Sequence, residues 1–515
     1  MPLPTGCDRY RCDPIMSEHT CDVLVVGSGF GGSLMAMVLA KLGFRSLVVE
    51  RGNHPRFALG ESSTPLANLV LEQLATTYDI PELLPCCQYG TWKRDRPELV
   101  CGLKRGFSYF EHQAHQPFRV LSDRSNQLLV AASNSEEDAD THWLRSDFDQ
   151  YLVSLLPSRG VQLLDRVNVD SLEHIAPQYS GTCWTLRGTR CDEPLTLHAR
   201  FMIDASGSDG FLARHLALPS SLGDLKTYSR GLFSHFHGVH SWQSILAAGG
   251  NDTSDHTFPC NAAALHHVFK GGWMYLLEFE NGVTSAGFSL DPRLHPQPSS
   301  MSPEEEWRQW LNRFPSIAEQ FADAEPIAPA PGNIVRTGRL QRFVSQAADT
   351  DWALLPTTAG IIDALHSSGN AHTLYGIERL GRAFSQYGNT LRFHAALHEY
   401  AETTACEIKF IDELVAGCYK HFERFPKMVL ASMCYFVAAH SLEGLRRSGL
   451  AADTGFLRAT DRAFRKRIRK ARFLIDQQEN TSRDVTAAVA TLLAPDNSAG
   501  FLNADRRNNY PYQAE

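Results

Sequence analysis

The patterned part of the chain opens with an unbroken apolar run, Cys21 to Val26 (CDVLVV), which predicts a strand buried on both faces. The run passes directly into Gly27-Ser28-Gly29-Phe30-Gly31-Gly32. The next segment, SLMAMVLAKLG, has helical spacing of apolar positions and is ended by Gly43. RSLVVE then predicts a second strand that finishes at Glu50. Further on, Trp143 to Leu156 reads as a helix, with short strands across 161–172 and 184–187. ARFMIDASG predicts a third apolar strand and ends at Gly207. Residues 208–329 are strand-rich with Gly, Pro and His loops, and Trp352 to Leu355 returns to a buried strand. From His372 onward the period is helical almost to Leu493.

Composition narrows this picture. The 515 residues are 43% hydrophobic and 21% charged, which excludes a wholly disordered chain and a collagen-like or coiled-coil rod. Lys+Arg 49 against Asp+Glu 57 gives a net charge of −8, so no global basic field favours nucleic acid. The basic stretch Arg458 to Arg472 places Phe464, Ile468 and Phe473 on one side and predicts a solvated helix face. The longest nearly uncharged apolar run, Met428 to Ala439, is shorter than the roughly 20 residues a membrane span needs. The first residues, MPLPTGCDRYRCDPIMSEHT, lack the apolar core of a secretory signal and predict a loose leader. Twelve scattered cysteines without CxxC spacing fit reduced thiols and a cytoplasmic protein.

The glycine turn carries the first chemistry. Strand, turn, helix, second strand and acid are in register, so the unit is a dinucleotide-binding β–α–β. Gly27 permits the tight turn, Gly29 lets the backbone approach a pyrophosphate, and Gly32 allows close helix–strand packing. The pyrophosphate belongs at the helix start, where free N–H groups favour an anion. Glu50 can accept the ribose hydroxyls and disfavours a 2′-phosphate there. No second Gly-rich β–α–β follows for a nicotinamide cofactor. His235, His237 and His240 (HFHGVH) allow two ligands on one strand face, but no HExxH or cysteine set accompanies them, so no metal is expected.

From Asp22 to Pro511 the residues resemble the flavin-dependent halogenases, in particular their phenol- and pyrrole-type branch. The matching segments are GSGFGG, HPRFALGESSTP (His54 to Pro65), CGLKRGFSYF (Cys101 to Phe110), FMIDASG, GGWMYLLEFENGVTSAGF (Gly271 to Phe288), WALLPTTAGIIDALHSSG (Trp352 to Gly369) and the closing NSAGFLNADRRNNYP. The GESSTP and CGLK segments are the specific ones; GxGxxG and DASG occur in many flavoproteins.

The resemblance implies a chemistry and a set of roles. Reduced FAD and O2 oxidise chloride or bromide to hypohalous acid, which is steered to an electron-rich aromatic carbon. Lys104 is implied as the group that receives the halogen oxidant, and its apolar neighbours would desolvate it. Lys93 is the competing lysine, but Arg94 and Asp95 beside it look solvated. Ser368 and Gly369 are implied as the halide site, at a turn and helix start whose N–H groups form an anion nest. Gly27, Ser28, Gly29, Phe30, Gly31, Gly32 and Glu50 form the FAD turn, with Glu61, Ser62, Arg145, Val167 and Asp363 as further flavin contacts.

Two family boxes are altered. WxWxIP reads Trp273-Met274-Tyr275-Leu276-Leu277-Glu278, and DPLFSSG has Ala364 for Pro and His366 for Phe. A protonated His366 near the halide turn would attract the anion. An FAD-dependent aromatic monooxygenase is therefore the alternative activity.

The expected fold is α/β: a doubly wound, Rossmann-like FAD-binding domain with an inserted mixed β-sheet substrate domain and a helical C-terminal region. The expected divisions are a leader at 1–20, FAD-binding segments at 21–207 and 336–385, the inserted sheet at 208–335 and the helical region at 386–515. The partners implied are a separate flavin reductase and a small aromatic substrate, free or tethered to a carrier protein.

Overall fold

A computed structural model describes residues 18–174, 183–328, 334–388, 390–450, 454–477 and 483–513. The first sheet has the spatial order Ala348–Asp349, Trp352–Leu354, Glu193–Asp204, Glu18–Val26, Ser46–Val49 and Gln162–Leu164. Its central strands are parallel, with Val23 to Val26 registered against Phe201 to Asp204 on one side and Ser46 to Val49 on the other. This is the crossover order of a dinucleotide-binding sheet. Residues 1–17 of the expected leader lie outside the described residues, while Glu18 to Thr20 already belong to the first strand.

Local chemistry sets the element ends. The first helix, Phe30–Lys41, begins after Gly29 and is covered on nearly every side, so its apolar residues recur all round. The predicted 143–156 helix starts two residues late, at Arg145–Leu155. Trp143 is instead the last residue of a strand, Asp140–Trp143, paired antiparallel with Cys101–Lys104.

The second sheet is larger than the expected insert. Its strands run Glu325–Ala328, Arg230–His237, Thr284–Leu290, Gly272–Glu278, Ala264–Phe269, Gly106–Glu111, Gln127–Ala131 and Asn509–Tyr510, and Val335–Arg339 also pairs with Arg230–His237. It thus draws two strands from the first FAD-binding segment and one from the C-terminal tail, which the 208–335 boundary does not capture. The period of two sorts its faces. Phe110, Leu265, Met274 and Phe288 pack with Trp307, Trp310 and Ile317 into a separate core. Phe107, Tyr109, Trp273 and Leu277 join the main core on the other face.

Among the described residues five α-helices follow: Ser368–Tyr387, Leu391–Tyr419, Phe425–Arg447, Arg462–Gln477 and Arg483–Leu493. Phe425–Arg447 is long and apolar enough to cross a membrane, but 72% of its apolar window is buried inside the protein, as in a core helix. In Arg462–Gln477 the buried stripe is Phe464, Ile468, Ala471 and Ile475. Phe473 is 60% exposed, against expectation, because the stripe turns past it at helical spacing. The basic face is also less solvated than predicted, since Arg465 and Arg467 pair with Glu413 and Asp496.

Candidate functional site

The first cluster is the glycine turn. Gly27 has φ +100°, and a Cβ there would lie 2.7 Å from the Ala205 carbonyl oxygen. A Cβ on Gly32 would lie 1.9 Å from the Gly27 oxygen. Both glycines are demanded by the protein's own backbone. Gly29 differs: its Cβ would face Arg145 Nη2 at 3.4 Å and Arg56 Nη2 at 3.5 Å. Open backbone at a helix start, flanked by two guanidinium groups, suits a pyrophosphate. Gly31 serves packing, since a Cβ there would meet Thr373 Cγ2 at 2.9 Å.

Glu50 lies at the end of its strand and accepts hydrogen bonds from Ser28 N and Ser28 Oγ, both at 3.0 Å, and from Gly52 N at 2.9 Å. Burial works to raise its carboxyl, but the Ser28 amide and Arg56 outweigh it and hold the group below its ordinary range. It is therefore a carboxylate, as ribose recognition requires. Val167 lies beside it, its N–H donating to the Glu50 carbonyl at 3.0 Å. His54 Nδ1, Arg56 Nε and Ser62 Oγ are buried around the turn and its neighbouring loop without hydrogen-bond partners. Such orphaned groups beside an open glycine turn fit an absent polar ligand, and the donor set fits FAD.

The loop 59–63 links this turn to the other functional residues. Arg145 sits over the Phe30 ring at 4.9 Å and forms a buried pair with Asp149 at 2.7 and 2.8 Å. Its Nη1 donates to the carbonyls of Leu59 and Gly60 at 2.8 and 3.2 Å. Asn370 Nδ2 reaches the same Gly60 carbonyl at 3.0 Å. The Glu61 carboxylate is bonded to His235 Nε2 at 2.8 Å, which gives that histidine a partner other than a metal. Lys104 Nζ donates to the Ser63 carbonyl at 2.5 Å.

The expected halide residues lie at the start of the Ser368–Tyr387 helix. Ser367 is left-handed, at φ 52°, and caps nothing with its side chain. The first-turn amides of Ser368 and Gly369 thus have no side-chain cap, and Asn370 ties this turn to the loop at Gly60 and Ser62. His366, just before it, does not supply the expected positive charge. It is fully buried, stacks on Tyr435 at 4.2 Å, and burial drives it down to about 3. The Asp363 carboxylate takes donors from Ser229, Ser289, Tyr419 and the Leu365 amide, so its oxygens are held by the protein itself. Trp273 of the altered box bonds Tyr419, so that box and the return loop are held together.

Lys104 is completely buried, and its ammonium lies 4.0 Å from the Phe107 ring centre. Burial lowers it to about 7, with Asp140 acting in the opposite direction. Phe107, Tyr109, His266, Tyr435 and Phe436 form one aromatic group on this side. Tyr109 and Tyr435 donate to the carbonyls of Leu365 and His366, at 3.3 and 2.8 Å, so the same group borders the halide turn. His142 and His266 are held neutral, each driven down to about 3 by burial. A cleft of about 50 Å³ is lined by Phe107, Tyr435 and Phe436, with Glu443, His440 and Tyr512 among its polar lining. Lys93, the competing lysine, lies in a partly exposed pair with Glu280.

Sequence reading missed Arg56, Asp149, Asn370, Asn68 and Asp140, and weighed His235 only as a metal ligand. Only the Arg145–Asp149 spacing of four along a helix was visible locally. The others meet their partners through tertiary packing.

Residues 25–75 match the model of the NAD(P)-binding Rossmann-like domain. The halogenase PltM, solved in complex with phloroglucinol and FAD, superposes with a TM-score of 0.82 at 23% identity, covering 95% of this chain and 99% of that one. Tetracycline 7-halogenase of Kitasatospora aureofaciens is 27% identical over 465 residues, 86% of this chain and 79% of that protein. Monodechloroaminopyrrolnitrin halogenase PrnC of Pseudomonas fluorescens is 31% identical over 415 residues, 78% of this chain and 68% of its own. At that identity and coverage, the chain belongs to the flavin-dependent halogenases, FAD-using enzymes that act with halide.

Proposed function

We propose that this enzyme halogenates an electron-rich aromatic ring, phenol-like or pyrrole-like, and that Lys104 presents the halogen oxidant to it. One observation carries the reading: the buried Lys104 amine hangs on the loop 59–63, the loop that Asn370 clamps to the Ser368–Gly369 turn. These two contacts support oxidant formation and ring halogenation at the two ends of that loop.

Bound FAD, reduced and supplied with O2, provides the two-electron oxidation of halide to hypohalous acid. Glu50 holds the ribose hydroxyls, and the Gly29 turn with Arg145 and Arg56 holds the pyrophosphate. The Ser368 and Gly369 amides hold the halide. Glu61 and Ser62 lie on the flavin-facing loop, fixed by His235 and Asn370. The aromatic group around Tyr109 and Tyr435 excludes water, which would otherwise consume the oxidant. The Lys104 amine receives that oxidant, by hydrogen bond or by forming an N–halogen bond.

The single dinucleotide turn supports a separate reductase as the source of reduced FAD, in a cytoplasmic two-component system. The test is a mass-spectrometric screen of phenols, pyrroles and indoles, free and carrier-tethered, with FAD, a reductase, O2, chloride and bromide. A halogenated product is expected. Hydroxylated products alone would replace this reading with a monooxygenase.

A further inference from the structure

The strand Arg230–His237 carries a second polar cluster, on the face of its sheet opposite to Phe107 and Tyr109. Leu232 and Phe236 of that strand belong to the separate core with Trp307 and Trp310, and Arg230 shares their side by the period of two. Arg230 is 2% exposed. Its Nη2 pairs with Glu306 at 2.5 Å, and its Nε donates to the His295 carbonyl at 3.1 Å. Arg336 Nε takes the other Glu306 oxygen at 2.6 Å, and its Nη2 donates to the Met301 carbonyl at 2.8 Å. This network ties the Pro303–Arg313 helix to the sheet and needs no ligand.

Other donors of the cluster are left over. Arg339 is the direct cross-strand partner of Arg230. Its Nη2 donates to the Thr227 carbonyl at 3.1 Å, and its guanidinium lies 4.7 Å from the Tyr228 ring centre. Among the described residues it pairs with no carboxylate. Arg230 Nη1, Arg339 Nε and Thr227 Oγ1 are all buried without a hydrogen-bond partner. Arg293 reaches the same Tyr228 ring, at 6.0 Å, while paired with Asp291 at 2.6 Å. Four guanidinium groups thus stand against two carboxylates, Glu306 and Asp291, and both carboxylates are engaged. Burial first, and the charges of Arg313 and Arg230 after it, hold His295 below its ordinary range, which registers the same positive field.

Buried guanidinium nitrogens are rarely left unpaired in a folded protein, because the lost hydration costs too much. A tetrahedral oxyanion offers acceptors to all three leftover donors at once, and arginine forks match it. Tyr228, 36% exposed, and the exposed Arg293 mark the open side of the cluster.

We propose that Arg230, Arg339 and Thr227 form a seat for a phosphate group, separate from the FAD turn and entered past Tyr228 and Arg293. The phosphate belongs to a free phosphorylated compound or to the phosphodiester arm of a carrier, which share this chemistry. Ser229, between Thr227 and Arg230, donates to Asp363 at 2.9 Å, so the seat adjoins the return loop through one residue without touching the flavin side.

The test uses the full chain saturated with FAD, so that phosphate cannot answer at the pyrophosphate site. Inorganic phosphate is titrated by calorimetry at an ionic strength held constant with sodium chloride, with phosphopantetheine and AMP titrated in parallel. Expected are one phosphate per chain with a Kd of about 1 mM or below, and a rise in Tm with phosphate that chloride does not give. Arg339→Gln should lose about tenfold or more in phosphate affinity. Arg339 lies outside the Glu306 network, so this variant should fold, with a phosphate-free Tm at or above the parent's. Thr227→Val should weaken phosphate by about threefold. Phosphopantetheine binding tighter than both others assigns the seat to a carrier arm; AMP or phosphate binding at least as tightly assigns it to a free compound. The proposal is overturned if phosphate neither binds nor raises Tm beyond chloride, or if Arg339→Gln binds it as the parent does. Should Arg339→Gln fail to fold, Thr227→Val decides: weakened binding upholds the seat, and unchanged binding overturns it. The titration needs no turnover, so its outcome is separate from that of the substrate screen.

Discussion

The side-chain amide of Asn370 donates to the Gly60 carbonyl at 3.0 Å, from the first turn of the Ser368–Tyr387 helix across to the loop that reaches Lys104. The contact fixes the distance between the proposed halide turn and the proposed flavin loop. Asn370→Ala should raise the halide concentration for half-maximal rate about tenfold, by freeing a turn whose geometry the halide needs, while FAD affinity stays within about threefold. Halide titrations of the rate, with FAD binding followed by fluorescence, check this. An unchanged halide requirement would remove Asn370 from the site.

Gly29 and Gly32 should separate cofactor binding from folding. Gly29→Val places its branch against the flexible ends of Arg145 and Arg56, so the protein should fold with a nearly unchanged Tm yet lose FAD affinity by about 100-fold or more. Gly32→Ala meets the Gly27 carbonyl backbone, so it should lower Tm as well. Thermal melts with and without FAD distinguish the two. Equal FAD affinity in Gly29→Val would end the pyrophosphate assignment.

His366 should be silent in the pH profile. With burial driving it down to about 3, it is neutral throughout the working range, and its histidine-to-aromatic difference from the family box is one of shape. His366→Phe should leave the pH dependence of halide use unchanged between about pH 5 and 9. A shifted profile would restore a charged histidine.

Lys104 should cost stability. Its native proton affinity, about 7, lies below the ordinary lysine value of 10.5, so the unfolded chain binds more protons between these pH values. The cost is therefore full below pH 7 and fades as pH rises toward 10.5. Lys104→Met should raise Tm at pH 6 by a few degrees, with the gain shrinking at higher pH as the partnerless Asp140 becomes harder to ionise. A lower Tm at pH 6 would mean that the amine stabilises the fold.

The sequence made the glycine turn and its strands legible because their demands are local: a strand, a positive φ, a close helix and an acid fall within one short segment. Lys104 was legible through the CGLK segment. Asp140 was not, because the pairing that puts it opposite Lys104 joins strands separated by the strands Gly106–Glu111 and Gln127–Ala131. The same applies to Asn370, Arg56 and His235, each an ordinary polar residue until the fold supplies its partner. The expected charge on His366 fails for the complementary reason: burial, which the local sequence does not display, decides what such a side chain can do. The second sheet escaped its boundary because its first strand pair and its last strand lie far from the insert in sequence.

The central claim is that oxidant is made at one end of the loop 59–63 and used at the other, by Lys104. The direct measurement compares Lys104→Ala with the parent, with reduced FAD, O2 and halide, recording scavenged hypohalous acid and halogenated arene in the same reaction. The account predicts normal FAD binding and normal oxidant in the variant, with arene halogenation down by about 100-fold or more. Halogenation at the parent rate, or loss of oxidant together with product, would contradict it.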